Sequence, residues 1–452
     1  MKKEDYMELK NMCEGKPLKL IFFFSLPLML GNICQQLYTV MDTIIVSQKL
    51  GVDALAALGC CDWLNWMGFG IITGFAQGFS IMVSHAFGTK LEDQIQNSIC
   101  AMMISCLVVT VVFVCIALPC IPFALHLLNT PDTIYDMTLL YTRVIFLGLP
   151  ATMLYNAFAA ILRALGNSKT PLYAMILASV LNIGLDILFV MVFNFGIAGA
   201  GVATIIAQFL AGCYCVYKLL QIKAYMPHHL IKDMEYYLRM MKLGFPMALQ
   251  NVLISIGGMV LTSVINRYGT LFLAGFTAVN KLYGILEVSA VSYGYAMVTY
   301  TGQNYGAKCY RRIAKGLKSA VVLSVVTALV ITLILFLFGK TLLSFFISSG
   351  SENYEEVMQV AWTFLRIMAA CLPILYLLHI YRSTIQGLSD TFIPMLSGFF
   401  ELIVRIAVAL ILPIWMGRNG LYPVEVFAWI GAVVLLIPSY YHKERALLKK
   451  LD

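Results

Sequence analysis

The sequence predicts an all-α polytopic membrane protein with twelve transmembrane helices in two pseudo-symmetric six-helix bundles. Three observations carry this reading. The 452 residues are 60% hydrophobic and only 12% charged, whereas soluble domains carry about a quarter charged residues. The apolar segments run roughly 20 to 30 residues each, the length a helix needs to cross hydrocarbon. A long internal repeat divides the segments into two sets of six. The ten-residue alternating strands of a membrane barrel do not occur.

In chain order the spans are read at 18–48, 53–85, 95–125, 134–163, 170–194, 197–220, 239–267, 271–303, 312–339, 357–386, 392–415 and 421–441. Pro119 and Pro122 fall late in the third, so its outer end is expected to be kinked or irregular. The longest polar gap lies near Lys218 to Lys242 and leaves no room for a soluble domain. The first twenty residues are mixed in charge and lack a cleavable signal-peptide layout, so the first span is expected to be its own insertion signal.

Charge placement sets the orientation. Of the 31 Lys and Arg residues, 23, Arg382 among them, fall in segments on the N-terminal side of the membrane and 4 on the other. That bias predicts cytoplasmic termini; the expected location is the plasma membrane of a prokaryote. The net charge of +8 therefore reads as topology and excludes a nucleic-acid face.

The repeat is specific. The segment from Leu149, LPATMLYNAFAAILRALGNSKTPL, answers the segment from Leu372, LPILYLLHIYRSTIQGLSDTFIPM, at an offset of 223 that matches Pro150 to Pro373 and Pro171 to Pro394. SHAFGTK at Ser84 answers GQNYGAK at Gly302 at an offset of 218, and Pro27 answers Pro246. The expected domains are 1–225 and 226–452. Six spans per half give both halves the same membrane orientation, a parallel repeat with a substrate site expected between them.

Polar residues inside the first span give the first functional lead. Gln35, Tyr38, Thr39 and Asp42 fall at i, i+3, i+4 and i+7, one helical face. A carboxylate inside a spanning helix is costly and marks a functional site by default. Asp186 in the fifth span, with Asn182 one turn before it, and Thr204 in the sixth lie at a similar depth, roughly 10–12 Å from one side. Two carboxylates close together in a low dielectric do not both stay ionised, so one keeps a proton or a cation binds between them. The donors are all oxygen, which suits Na⁺ or a proton. The plainer reading is that Asp186 and Asn182 satisfy each other and neighbouring backbone. Asp62 lies at comparable depth and is a rival.

The second half differs. Lys281 and Glu287 sit six apart on different faces and need partners on other helices. Glu401 and Arg405 are i and i+4 and are expected to form a structural ion pair. Gln208, Gln250, Tyr283 and Gln386, with Gln35, Tyr38, Asp62 and Glu287, are the candidates for lining a cavity, although helix packing explains such residues as well. The 12 cysteines include no CxxC or Cys/His ligand spacing and read as small hydrophobes. No nucleophile elbow, phosphate loop, HExxH or dinucleotide turn is present, so an enzyme is not expected.

The segments QQLYTVMDTIIVSQKLGVDALAALG, the FGTK and YGAK turns, ILRALGNSKTP and NIGLD resemble the multidrug and toxic compound extrusion (MATE) transporters over nearly the whole chain. The resemblance implies two bundles in a V and antiport of bulky organic cations or amphipaths against H⁺ or Na⁺, a xenobiotic export. It also implies a coupling role for Asp42. Asn182, Asp186 and Thr204 match the polar cluster of the DinF-like branch, a site for H⁺ or Na⁺. Members that couple through the second half carry acidic residues in spans seven and ten, where this chain has Gln250 and Gln386. The first span is expected to bend at Pro27 as a hinge, and the protein to act as a monomer. A lipid-linked oligosaccharide flippase is the alternative; about fourteen spans and a basic cavity would be expected of it.

Overall fold

Inside hydrocarbon no water pairs the backbone, so each spanning segment must satisfy its own amides and carbonyls, which a helix does. In the computed structural model, which describes residues 9–128, 130–227, 229–231, 233–347 and 353–449, the described residues form helices and turns and no strand. The first half holds α1 (Pro17–Leu50), α2 (Val52–Thr89), α3 (Glu92–Leu127), α4 (Asp132–Leu147), α5 (Leu149–Ala164), α6 (Lys169–Asp186) and α7 (Gly196–Leu220). The second holds α8 (Met234–Asn266), α9 (Thr270–Gly306), α10 (Tyr310–Ser344), α11 (Tyr354–Ala370), α12 (Leu372–Gly387), α13 (Phe392–Met416) and α14 (Val424–Leu448). Ten of the described helices are long and apolar enough to span, and two bent pairs bring the total to twelve. The expectation of cytoplasmic termini falls in part on residues 1–8 and 450–452, outside the described ones.

Two spans expected as single helices are broken. α4 and α5 meet at 41°, and α11 and α12 at 51°. Pro150 and Pro373 stand at the second position of α5 and α12. Proline lacks an N–H and its ring clashes with the preceding turn, so each span restarts there rather than running through. α3, in contrast, stays helical to Leu127 through both of its prolines; within a membrane helix a freed carbonyl gains nothing by leaving the helix.

The repeat is also written in the backbone. Gly51 and Gly269, and Lys90 and Lys308, lie 218 apart and all have positive φ, at 83°, 99°, 62° and 57°. Gly166 and Ser389, and Asn194 and Gly417, lie 223 apart and do the same, at 88°, 63°, 55° and 57°. Positive φ is costly for a side-chain-bearing residue, so matching turns at fixed offsets record one ancestral plan in both halves.

By packing, the chain forms two compact units. One holds Leu26–Asn251 with the described residues before Cys13, and the other holds Cys13–Ser25 with the described residues from Val252 onward. The divisions thus fall inside α1 and α8. In the first unit α2 packs on α3, α4 and α5, and α7 on α4, α5 and α6; in the second α9 packs on α10, α11 and α12, and α14 on α12 and α13. Large apolar side chains such as Phe123, Ile414 and Trp415 stay exposed, as a lipid-facing surface requires.

Close backbone approach fixes one seam of the first unit. Gly70, Gly74 and Gly78 repeat every four residues along one face of α2 and meet the start of α8. A Cβ on Gly74 would come within 2.6 Å of the Ala248 Cα, and one on Gly78 within 2.5 Å of the Gly244 Cα. Asn251 Nδ2 donates to the Gly70 carbonyl at 2.7 Å. Small residues at this spacing let membrane helices pack by van der Waals contact, the main attraction left when lipid is as apolar as Leu. Gly78→Leu should therefore lower the thermal midpoint of the purified protein by at least several degrees. Gly59→Leu, on the same helix with open space around it, should not. Equal melting of the two variants would contradict this seam.

Candidate functional site

The face of α1 predicted to carry Gln35, Tyr38, Thr39 and Asp42 is split by the packing. Tyr38 and Asp42 are buried, while Gln35 and Thr39 are exposed. Thr39 satisfies its hydroxyl on the Gln35 carbonyl at 3.0 Å, a bond within the helix. On α6, Asn182 and Asp186 lie one turn apart and are almost completely buried. Asn182 Nδ2 donates to Thr204 Oγ1 of α7 at 3.3 Å. One turn along α7, Gln208 Nε2 donates to the Tyr38 hydroxyl at 3.2 Å. Three helices are thereby tied through Tyr38, Asn182, Thr204 and Gln208, and Asp42 and Asp186 lie within electrostatic range of each other.

Which atoms remain unpaired gives the site its character. Asp42 Oδ1, Asn182 Oδ1, both Asp186 carboxylate oxygens and Gln208 Oε1 are buried without a hydrogen-bond partner among the described residues. All five are acceptors. Acceptors cannot satisfy one another, and an oxygen-only set has the chemistry to take a proton or a hard ion such as Na⁺. Directly after Asp186 the helix widens into a π-helical segment, Ile187–Val192, a feature that recurs at functional positions.

The structure adds Tyr141, from α4, which is buried and within electrostatic range of Asp42, Asp62 and Asp186. Asn65, on α2, is buried and donates to Cys61 Sγ at 3.4 Å. Neither follows from the sequence, because a Tyr or Asn in an apolar helix reads first as packing. Asp62 is exposed, with its neighbour Cys61 turned inward instead.

The second half holds a different constellation. Glu401 and Arg405 pair at 3.1 Å, and the pair extends further, from Arg382 to Glu401 at 2.8 Å and from Arg405 to Glu425 at 2.8 Å. Arg382, read from the sequence as a cytoplasmic charge, is instead buried, with Nε donating to Ser397 Oγ at 3.3 Å. An arginine near the end of an apolar run looks like a topological signal until its carboxylate partner is seen to come from another helix. Glu287, on α9, meets His379 of α12 at 3.2 Å. Tyr283 stacks on Trp429 with ring centroids 6.0 Å apart. Gln250 and Gln386 are both buried.

The offsets show how the two polar centres correspond. At 223, Asn182 maps to Arg405, Asp186 to Ala409 and Tyr141 to Phe364; at the 219 that separates Pro27 from Pro246, Asp42 maps to Leu261 and Tyr38 to Gly257. The space that a side chain would take at Gly257 is occupied by Arg405, whose Nη1 lies 2.3 Å from where a Cβ there would sit. The second half thus carries a tethered cation where the first carries carboxylates.

Twelve spans' worth of apolar helix with mid-helix carboxylates is the architecture of a secondary membrane transporter. The MatE family model matches residues 27–188 and 246–411, one match in each half. Two relatives from Bacillus subtilis (strain 168) are similar along most of their length. The probable multidrug resistance protein YoeA is 27% identical over 92% of each chain, and the probable multidrug resistance protein YpnP is 31% identical over 76% of this chain and 77% of its own. A solved structure, "Crystal structure of MATE in complex with MaL6", superimposes with a TM-score of 0.90 at 22% identity, over 98% of this chain and all of that one. The chain belongs to the MatE family and is a transporter, not an enzyme.

Arg382 offers a direct check on the second-half network. Arg382→Ala would leave part of the buried Glu401 charge uncompensated, which should cost about 3 kcal/mol of stability and lower the melting temperature clearly. Arg382→Lys should recover part of the loss. An unchanged melting curve for the alanine variant would contradict the buried ion chain.

Proposed function

We propose that the chain is a secondary antiporter that exports cationic or amphipathic compounds across a prokaryotic plasma membrane in exchange for H⁺ or Na⁺. The names of its Bacillus relatives support a multidrug cargo. The observation that carries the coupling site is the acceptor-only group of buried oxygens on Asp42, Asn182 and Asp186, with Thr204 beside them.

The chemistry follows from that inventory. A proton on either aspartate turns one acceptor into a donor, which can then bridge to the other carboxylate or to Asn182 Oδ1. Na⁺ would take the same oxygens as ligands. In both cases the ion removes the repulsion between α1 and α6, and α1 can then draw closer to α6 and α7. Release of the ion restores the repulsion. A helix that moves against its neighbours in this way gives alternating access. Pro27, inside α1 and beside the division between units at Ser25–Leu26, breaks the helix hydrogen-bond ladder there and serves as the hinge.

The test is uptake of a fluorescent organic cation into inverted proteoliposomes, driven separately by H⁺ and by Na⁺ gradients. Asp42→Asn should abolish gradient-driven uptake under the coupling ion while leaving protein yield and melting near wild type. Asp186→Asn should behave alike. Full coupled transport by Asp42→Asn would overturn the assignment. Pro27→Ala should slow turnover with little change in ion affinity; a wild-type rate would remove the hinge from the mechanism.

A further inference from the structure

The end of the first unit that the charge bias assigns to the cytoplasm carries a cluster that transport chemistry does not use. α7 has Lys218 in its last turn. The Lys218 Nζ stands 5.9 Å from the ring centroid of Tyr214 and 5.8 Å from that of Tyr217. Two phenol faces hold the ammonium by cation–π attraction. Among the described residues Lys218 meets no carboxylate; its Nζ donates to the neutral Gln221 Oε1 at 3.5 Å. Tyr173, in the first turns of α6, and Tyr217 both lie within electrostatic range of Tyr214. Two further cations stand at this rim, Arg163 in the last turn of α5 and Lys169 at the start of α6. Lys169 lies one turn before Tyr173 on the same helical face.

The helices that build the rim bring almost no negative charge. Residues 137–232, which include α5, α6 and α7, contain a single Asp or Glu. It is Asp186, at the opposite end of α6 and roughly 25 Å from Lys169 along the helix. The fold does not demand this arrangement, because the repeat lacks it. At the offset of 223, Lys218 becomes Tyr441, Tyr173 becomes Leu396 and Tyr214 becomes Ile437. The cluster belongs to the first half alone.

Toward the membrane interior the same faces turn apolar and stay open. Leu177 and Val180 follow Tyr173 at i+4 and i+7, and Leu210 precedes Tyr214 by one turn; all three are exposed. Tyrosine and lysine at the level of the head groups, above an exposed apolar track, match the profile of a phospholipid. A soluble anion would have no use for the track. A zwitterionic head group would bring a second ammonium to a rim that already holds three cations, and the ring faces that could receive it are taken by Lys218. An anionic head group brings only its phosphate.

We propose that Lys218, held over Tyr214 and Tyr217 with Tyr173 beside them, binds the phosphate of an anionic phospholipid of the cytoplasmic leaflet. The acyl chains lie along α6 and α7, so the lipid fastens one helix to the other.

Native mass spectrometry of the purified protein reads the site, by titration with phosphatidylglycerol or with phosphatidylcholine of the same acyl chains. Wild type should bind phosphatidylglycerol several-fold more tightly and melt at a higher temperature in its presence. Lys218→Gln should weaken phosphatidylglycerol about fivefold, the share of one lysine at a membrane surface, and leave phosphatidylcholine unchanged. Lys218→Arg should keep the preference. Lys223→Gln, at an exposed lysine of the same end, should change little. Equal binding of the two lipids by the wild type would overturn the proposal. Equal losses for Lys218→Gln and Lys223→Gln would overturn it too, since they would mark a diffuse charged surface. Excess inorganic phosphate should leave the lipid in place; displacement would overturn the lipid as the occupant.

Discussion

The structure depends on one constraint: a buried oxygen acceptor needs a donor, and hydrocarbon supplies none. Along the helices the backbone meets this by itself. The side chains of the first half do not. Asp42, Asp186 and Asn182 bring acceptors to acceptors, and the amide donors of Asn182 and Gln208 are spent on Thr204 and Tyr38. A proton or cation shared within the group would relieve it, which is the ground for the coupling role proposed for these residues.

The second half meets the same constraint from within. Arg405 stands where the repeat puts Asn182, and its guanidinium reaches the space that a glycine, Gly257, leaves open. Glu401, Glu425 and Arg382 complete a chain of fixed charges. A buried network of this kind is expensive to desolvate and gives little net stability, but every member has an opposite charge beside it, so no exchangeable ion is needed for neutrality. One ancestral plan has thus given a centre of unpaired acceptors in one half and a charge-paired one in the other. Glu287 and His379 pair with each other outside that chain and are more exposed.

Much of this was legible in the residues. Length and apolarity specify a helix wherever water is absent, so twelve spans could be read by composition, and the offsets of 218 and 223 reappear as paired left-handed turns. Asp42, Asn182, Asp186 and Thr204 could be chosen because a polar group at membrane depth is rare enough to count as information. The broken spans were less legible: Pro150 and Pro373 were visible, but α3 holds two prolines and remains helical, so proline alone does not determine a break.

By itself, the sequence determined the class of fold, the duplication and the carboxylates of the first half, because each follows from residue type and spacing along one chain. Only the tertiary structure decided which residues of the α1 face are buried, that Tyr141 lies within range of both carboxylates, that Asp62 is exposed, and that Arg382 is an interior charge. Those outcomes depend on which helix lies opposite. Glu401 finds its second guanidinium on α12 and His379 finds Glu287 on α9, at sequence separations of 19 and 92, where no helical periodicity reaches.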